Sequence, residues 1–372
     1  QNFEEEYNCT IVVEQLTGNT AETELIPRLL AGDRYDIIQA QRMDLEKLRL
    51  AGDFLYDMNT ISSVDLNDEM WDQGLIKAST FSDYTYATYG ELNYVQNGYF
   101  VNLSMIERLG LEDIYDLIEN REWTLDKFRE FCLAATKDVD NDGEMDQFGA
   151  TLQDLVLGGI THANGSRIMT QETDGKMKYS FNSPKTVELL GFLRNLVQVD
   201  KVATDRSLSK ETLSQMFMEG KIMFFGYPSW IASDLNEMED DYAYIPMPID
   251  SDMENYSYAS DAWHPVLMIP KTNPEPENAG TVITEYFKME DVAVDMVDNV
   301  THSIYFRGND RAMDAFKLVR GNASFDYGIV EAGFTQPWLA MINAVWSASG
   351  DPVALLNEID SLMENFVEDI YN

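Results

Sequence analysis

Cysteine and histidine are scarce in this chain: its 372 residues include two cysteines, Cys9 and Cys132, and three histidines, His162, His264 and His302. They form no CxxC pair and no Cys/His cluster, so neither a zinc site nor a disulfide framework is available, and both thiols read as small buried side chains. Basic residues are few as well. Lys and Arg total 26 against 65 Asp and Glu, a formal charge of −39. The field of such a chain repels phosphate backbones and anionic membrane surfaces, which excludes nucleic acid as a partner. Long apolar runs are missing too: none reaches the roughly 18 to 20 residues that a membrane span requires, and Gln1-Asn2-Phe3-Glu4-Glu5-Glu6 is no signal peptide. Of catalytic motifs, HExxH, GxSxG, the P-loop and GxGxxG are all lacking.

What is present points to a folded protein. Hydrophobic residues make up 45% of the chain and aromatic ones 12%, enough for a large core. At roughly 150 residues per domain the length predicts two domains. Residues 10–14 (Thr-Ile-Val-Val-Glu) predict a strand, 22–31 a helix closed by Gly32, 35–38 a second strand and 44–51 a helix stopped by Gly52. This β-α-β-α rhythm predicts an α/β domain with a mostly parallel sheet. Thr124 is the expected N-cap of a helix running to about Thr136, and Ser183-Pro184 opens an amphipathic helix to about Val199. A turn at 219–221 leads into a buried strand ending near Gly226. Further extended segments fall at 242–248 and 266–269, and helices at 279–297 and 352–367. No internal repeat or low-complexity tract occurs.

Two patterns carry chemistry. Asp138-Val139-Asp140-Asn141-Asp142-Gly143-Glu144-Met145-Asp146 sets side-chain oxygens at loop positions 1, 3, 5 and 9, a backbone carbonyl from Glu144 at 7, and glycine at 6, where a calcium loop turns sharply. Position 12 is Gly149 in place of a bidentate Glu, so Asp138, Asp140, Asp142, Glu144 and Asp146 are expected to hold a structural Ca2+ of modest affinity. The alternative is a solvated Asp/Gly turn. The second pattern is aromatic: Trp230, Trp263 and Trp338 stand beside turn residues, in Tyr227-Pro228-Ser229-Trp230, Asp261-Ala262-Trp263-His264-Pro265 and Gln336-Pro337-Trp338. Such indoles stack on the C–H faces of sugar rings while neighbouring polar groups bond the hydroxyls. Core packing explains any one of them; a binding cleft explains all three. The abundance of carboxylates leaves a glycosidase pair open.

Together several segments resemble the extracellular solute-binding proteins of bacterial ABC importers, the family that includes maltose-binding protein. They are the Ala31-Gly32-Asp33 turn before Asp36-Ile37-Ile38, the Gly98-Tyr99-Phe100-Val101-Asn102 strand, the Trp123-Thr124-Leu125-Asp126-Lys127-Phe128 helix start, the 137–149 loop, the 219–230 segment and Tyr244-Ile245-Pro246-Met247-Pro248. The resemblance implies an α/β, two-lobed, type II periplasmic-binding-protein clamp with a hinge: lobe 1 from residues 1–95 and 263–310, lobe 2 from 96–262 and 311–372. A ligand touching both lobes favours the closed form, which the membrane permease reads. Carried over by matching segments, Trp230 and Trp338 are the expected stacking residues. Gln41, Arg42, Glu91, Asn93 and Asp154 are the expected hydrogen bonders, and Trp263 roofs the cleft from the hinge. The stretch Gln39-Ala40-Gln41-Arg42 lacks the family's aromatic, which argues against maltose itself. The expectation is thus a monomeric, non-enzymatic carbohydrate-binding component with no cofactor beyond that calcium, at the surface of a bacterium as a lipoprotein whose anchor and first strand lie outside this chain. Two other functions are weighed against it: the same fold holding a peptide, amino acid, polyamine or metal chelate, and a polysaccharide-active enzyme.

Overall fold

The computed structural model describes residues 3–16, 21–81, 83–90, 95, 97–172, 176–260, 264–288, 290–325 and 335–371. The chain divides into two compact units. The first is Gln1–Glu91 with Ala262–Asp295 and Val330–Ala332; the second is Leu92–Asp261, Met296–Ile329 and Gly333–Asn372. None of the helices among the described residues is long and apolar enough to cross a membrane.

In the first unit strand β1 (Ile38–Gln41) pairs antiparallel with Pro265–Met268, Ile38 opposite Met268 and Gln41 opposite Pro265. Helix α1 (Arg42–Ala51) follows without a loop and buries Leu45 and Leu48. Trp71, Leu267, Ile269, Ile283 and Phe287 form the nearby core, with Trp71 edge-on to Phe287 at 5.2 Å. Gly280 is small by necessity, because a Cβ there would stand 2.3 Å from Ser63 Oγ. The strand expected at 10–14 is absent. Val12 is 85% exposed and no strand pairs with this segment among the described residues. β-branched residues favour a strand only when a neighbouring ladder and a buried face receive them.

The second unit is built on a four-stranded sheet of β2 (Tyr99–Asn102), β3 (Phe148–Ala150), β4 (Ile222–Gly226) and β5 (Tyr242–Ile245), in the order β3-β4-β2-β5. β3 and β4 are parallel, whereas β2 is antiparallel to both β4 and β5. The mostly parallel sheet expected from the rhythm of residues 10–51 does not form among the described residues, since in the first unit β1 pairs antiparallel with Pro265–Met268. β3, β4 and β5 do share one direction, but β2 alone is reversed and sits between two of them, so two of the three ladders become antiparallel. β2, β4 and β5 are buried along their whole length. Phe100 packs edge-on to Tyr244 at 4.8 Å, and Trp123, Phe128 and Phe131 gather around Phe224. Helix starts follow the sequence closely: Thr124 Oγ1 accepts from Lys127 N, and Ser183 Oγ accepts from Thr186 N ahead of a helix with Pro184 in its first turn.

The crossings between units also differ from the sequence boundaries. Val95 and Ser229 exchange two hydrogen bonds of 2.8 Å, which holds Val95 in the second unit. Residues 296–310 join that unit rather than the first. Phe306 packs against Tyr242 and Phe316, and Arg307 donates to Asp241 (2.9 Å) and to the Met238 carbonyl.

Candidate functional site

In the second unit the carboxyl ends of the parallel strands β3 and β4 lie side by side, the place where open α/β sheets hold ligands. Thr151 Oγ1 accepts from Gly226 N at 2.7 Å and so ties the two ends together. β3 runs through Gln153 into α2 (Asp154–Ala163), while β4 runs through Tyr227 and Pro228 into a 3-10 turn, Ser229–Leu235. The end of β4 and the helix are held close: a Cβ on Gly226 would stand 2.2 Å from Val156 Cγ2.

Trp230 is the second residue of that turn and is 52% exposed, a large apolar face turned to water. Its indole stands edge-on to Tyr227 at 5.9 Å, and Lys210 Nζ lies 5.8 Å from the ring centroid. Lys210 is also bound to Asp234 Oδ2 at 2.9 Å, which raises the lysine's pKa. Asp154, the first residue of α2, is held by Arg206 in a two-pronged contact, Nε to Oδ1 at 2.6 Å and Nη2 to Oδ2 at 2.8 Å. Ala203 bridges to Ala150, so the segment bearing Arg206 and Lys210 starts beside the end of β3. Gln153 Nε2 is buried without a hydrogen-bond partner among the described residues.

Trp338 belongs to the first turn of α3 (Thr335–Trp346), not to the loop its sequence neighbours suggest. Its half-buried ring lies against Gly158 and lines a small cavity with Thr161, Phe181 and Met341. Gly158 is one turn along α2 from Asp154, on the same helix face. Trp338 and Asp154 thus share a face of α2, and β4, whose last residue packs on α2 at Val156, leads into the turn that bears Trp230. Sequence reasoning missed Tyr227, Gln153, Arg206 and Lys210. Gln153 directly precedes Asp154 and carried a signal, but Arg206 lies 52 residues from its partner and carried none.

In the first unit Gln41 and Arg42 mark the end of β1 and the start of α1. Gln41 is half-buried, and its Oε1 has no partner among the described residues. Arg42 is fully buried; it donates to the Ala78 carbonyl, and its guanidinium stands 5.5 Å from the Phe81 ring centroid. This placement ties α1 to the end of the 73–78 helix. Glu91, Asn93 and Trp263 lie outside the described residues.

The acidic loop of the second unit brings oxygens of Asp138, Asp140 and Asp146 within 4.8 Å of one another. Asp142 and Glu144 stay outside that group; Asp142 Oδ1 accepts from Glu144 N. Asn141 (φ 62°) and Gly143 (φ 97°) make the sharp turn. Asp138 accepts from Asn141 N and Gly143 N, and Asp146 from Val139 N, which holds both carboxylates toward the loop interior.

The profile of the family described as "Bacterial extracellular solute-binding protein" matches residues 1–292. Among curated proteins, none matches the chain. Solved structures do. An ABC substrate-binding protein of Listeria monocytogenes in complex with cycloalternan shares 14% identity at a TM-score of 0.67, covering 98% of this chain and 94% of that one. The GacH receptor of Streptomyces glaucescens, solved unliganded and with acarbose, shares 13% at 0.69 over 100% and 93%. UgpB of Mycobacterium tuberculosis, in complex with glycerophosphocholine, shares 15% at 0.69 over 99% and 93%. The fold is therefore that of two-lobed periplasmic-binding proteins, and by the family profile the chain belongs to the bacterial extracellular solute-binding proteins.

Proposed function

We propose that this protein is the substrate-binding component of a bacterial ABC importer, and that its solute is an oligosaccharide delivered to a membrane permease. The exposed indole of Trp230 at the carboxyl end of β4 is the observation that carries the proposal. A flat apolar face matches a sugar ring, which is apolar on its faces and hydroxylated at its edge, and the adjoining strand β3 leads to polar partners in Asp154 and Arg206. The cycloalternan and acarbose complexes of the similar structures support the same solute class. Trp230 and Trp338 are the proposed stacking residues, with Asp154 as a hydrogen bonder. A thermal-shift screen with maltotetraose, cellotetraose and xylotetraose, beside spermidine and a tetrapeptide, tests this. A ligand at 100 times its Kd adds about 2.7 kcal/mol to stability. Stabilisation by a tetrasaccharide is expected; stabilisation by spermidine or peptide alone would overturn the proposal.

Two subsidiary parts go with it. The convergence of Asp138, Asp140 and Asp146 supports a structural Ca2+, whose chemistry is to neutralise and rigidify that loop. Family membership supports an address outside the cytoplasmic membrane, and we propose a lipid tether at the cell surface. Mass spectrometry of the protein extracted from its native membranes tests that tether, with a diacylglyceryl N-terminus as the expected result.

A further inference from the structure

We infer that Arg206 is a positioning residue for the solute: it sets the carboxylate of Asp154 as a fixed, charge-neutralised acceptor, and so selects an uncharged, hydroxyl-rich ligand. The inference rests on the oligosaccharide reading above and concerns what the site demands of that sugar.

The geometry is a fork. Nε and Nη2 of Arg206 each take one oxygen of Asp154, at 2.6 and 2.8 Å. A carboxylate offers about four lone-pair sites. Two are taken by the guanidinium; the others remain as acceptors whose direction the planar fork fixes. Such acceptors suit the vicinal hydroxyls of a sugar, which must donate at set angles. Both partners are partly exposed, with side-chain exposures of 41% for Arg206 and 36% for Asp154, so the pair is reachable from solvent. An exposed pair of this kind adds only about 0–1 kcal/mol to stability, which makes a purely structural role weak.

Charge gives the second half. Arg206 cancels Asp154, and Asp234 cancels Lys210, whose ammonium approaches the Trp230 ring. Glu211 stands 3.8 Å from Lys210 as well, so Arg206 and Lys210 are both matched by carboxylates. An anionic ligand finds no free cation among them, and the Asp154 carboxylate is not free for an ammonium.

Isothermal titration of the wild-type protein with maltotetraose, cellotetraose and xylotetraose identifies the tightest neutral tetrasaccharide. It is then titrated into Arg206→Met, Arg206→Lys, Asp154→Asn and the Arg206→Met/Asp154→Asn double variant, with a glucosamine tetramer as cationic probe. Arg206→Met is expected to lose at least tenfold in affinity for the neutral sugar while its Tm stays within about 2 °C of wild type. Arg206→Lys, which keeps charge but not the fork, should fall between. The double variant should be no weaker than the weaker single one, the non-additivity expected of groups acting as a unit. The glucosamine tetramer should bind Arg206→Met more tightly than wild type, because the substitution frees a carboxylate. A wild-type protein that binds none of the three neutral sugars overturns the oligosaccharide reading itself. Wild-type binding with Arg206→Met within twofold of it, or with Arg206→Lys no better than Arg206→Met, overturns the role of Arg206 alone.

Discussion

The ring of Trp338 occupies the space a side chain at residue 158 would need: a Cβ on Gly158 would stand 2.7 Å from both Cη2 and Cζ3 of the indole. Helix α2 can carry Asp154 and receive Trp338 on one face only because residue 158 has no side chain. Gly158→Ala adds a methyl group that would ordinarily favour a helix by about 1 kcal/mol. Here overpacking should outweigh it, giving a net loss of about 1–2 kcal/mol. Urea unfolding measures that loss, and a weaker sugar affinity should accompany it as the indole is pushed aside.

Asp240 links three elements. It accepts two hydrogen bonds from Arg108, at 2.9 and 3.0 Å, and one from Asn102 at 2.8 Å, and Asn102 Oδ1 in turn caps the 103–109 helix through Met105 N. The Arg108 hydrogen bonds hold the carboxyl of Asp240 below the usual carboxylate range, against an opposing effect of burial. A depressed folded-state pKa stabilises the fold above the unfolded value, near 3.9, and that contribution fades as pH falls through the folded one. Asp240→Asn should cost about 1–2 kcal/mol at pH 7 and progressively less toward pH 3, as read from urea midpoints.

His162 is shifted in the same direction by a different cause. Burial, with nearby Arg167 adding to it, pushes its pKa well below 6.5. Below pH of about 6.5 the unfolded chain takes up a proton that the folded chain refuses, so this histidine's contribution to stability declines as pH drops below that point. Comparing pH 7.5 with pH 5.5, His162→Asn should lose less stability on acidification than the wild type does. Equal losses in the two proteins would contradict it.

The acidic loop makes a separate prediction. Millimolar Ca2+ should raise Tm relative to protein stripped with EGTA, and Asp138→Ala should abolish the difference while leaving sugar affinity within twofold.

Local signals in the sequence translated well where the physics is local. Thr124 and Ser183 are capping residues because a short side-chain oxygen reaches a backbone N–H three residues on, a relation fully contained in four residues. The apolar run ending at Gly226 became a fully buried strand. Relations set by distant chain were not legible. Nothing near residues 10–14 shows that those β-branched residues lack a ladder, and nothing near Tyr99 shows that its strand will be inserted, reversed, between β4 and β5. Trp338 read as a loop residue because Pro337 precedes it, yet proline is well tolerated in the first turn of a helix, where its missing N–H costs little. The turn that bears Trp230 was legible in Tyr227-Pro228-Ser229-Trp230, whereas Lys210, the cation near its ring, comes from 20 residues earlier and had no motif of its own.

Whether the exposed indole of the second unit holds a sugar is decided by side-by-side isothermal titration of wild type and Trp230→Ala with the tetrasaccharide that stabilises the protein most. Bases stacked on an aromatic ring contribute about 1–3 kcal/mol, and a sugar face of like area is expected to give a similar loss, roughly 5- to 150-fold in affinity. A loss of that size is expected with Tm almost unchanged, since a side chain 52% exposed adds little to the core. An unchanged affinity in Trp230→Ala would contradict it.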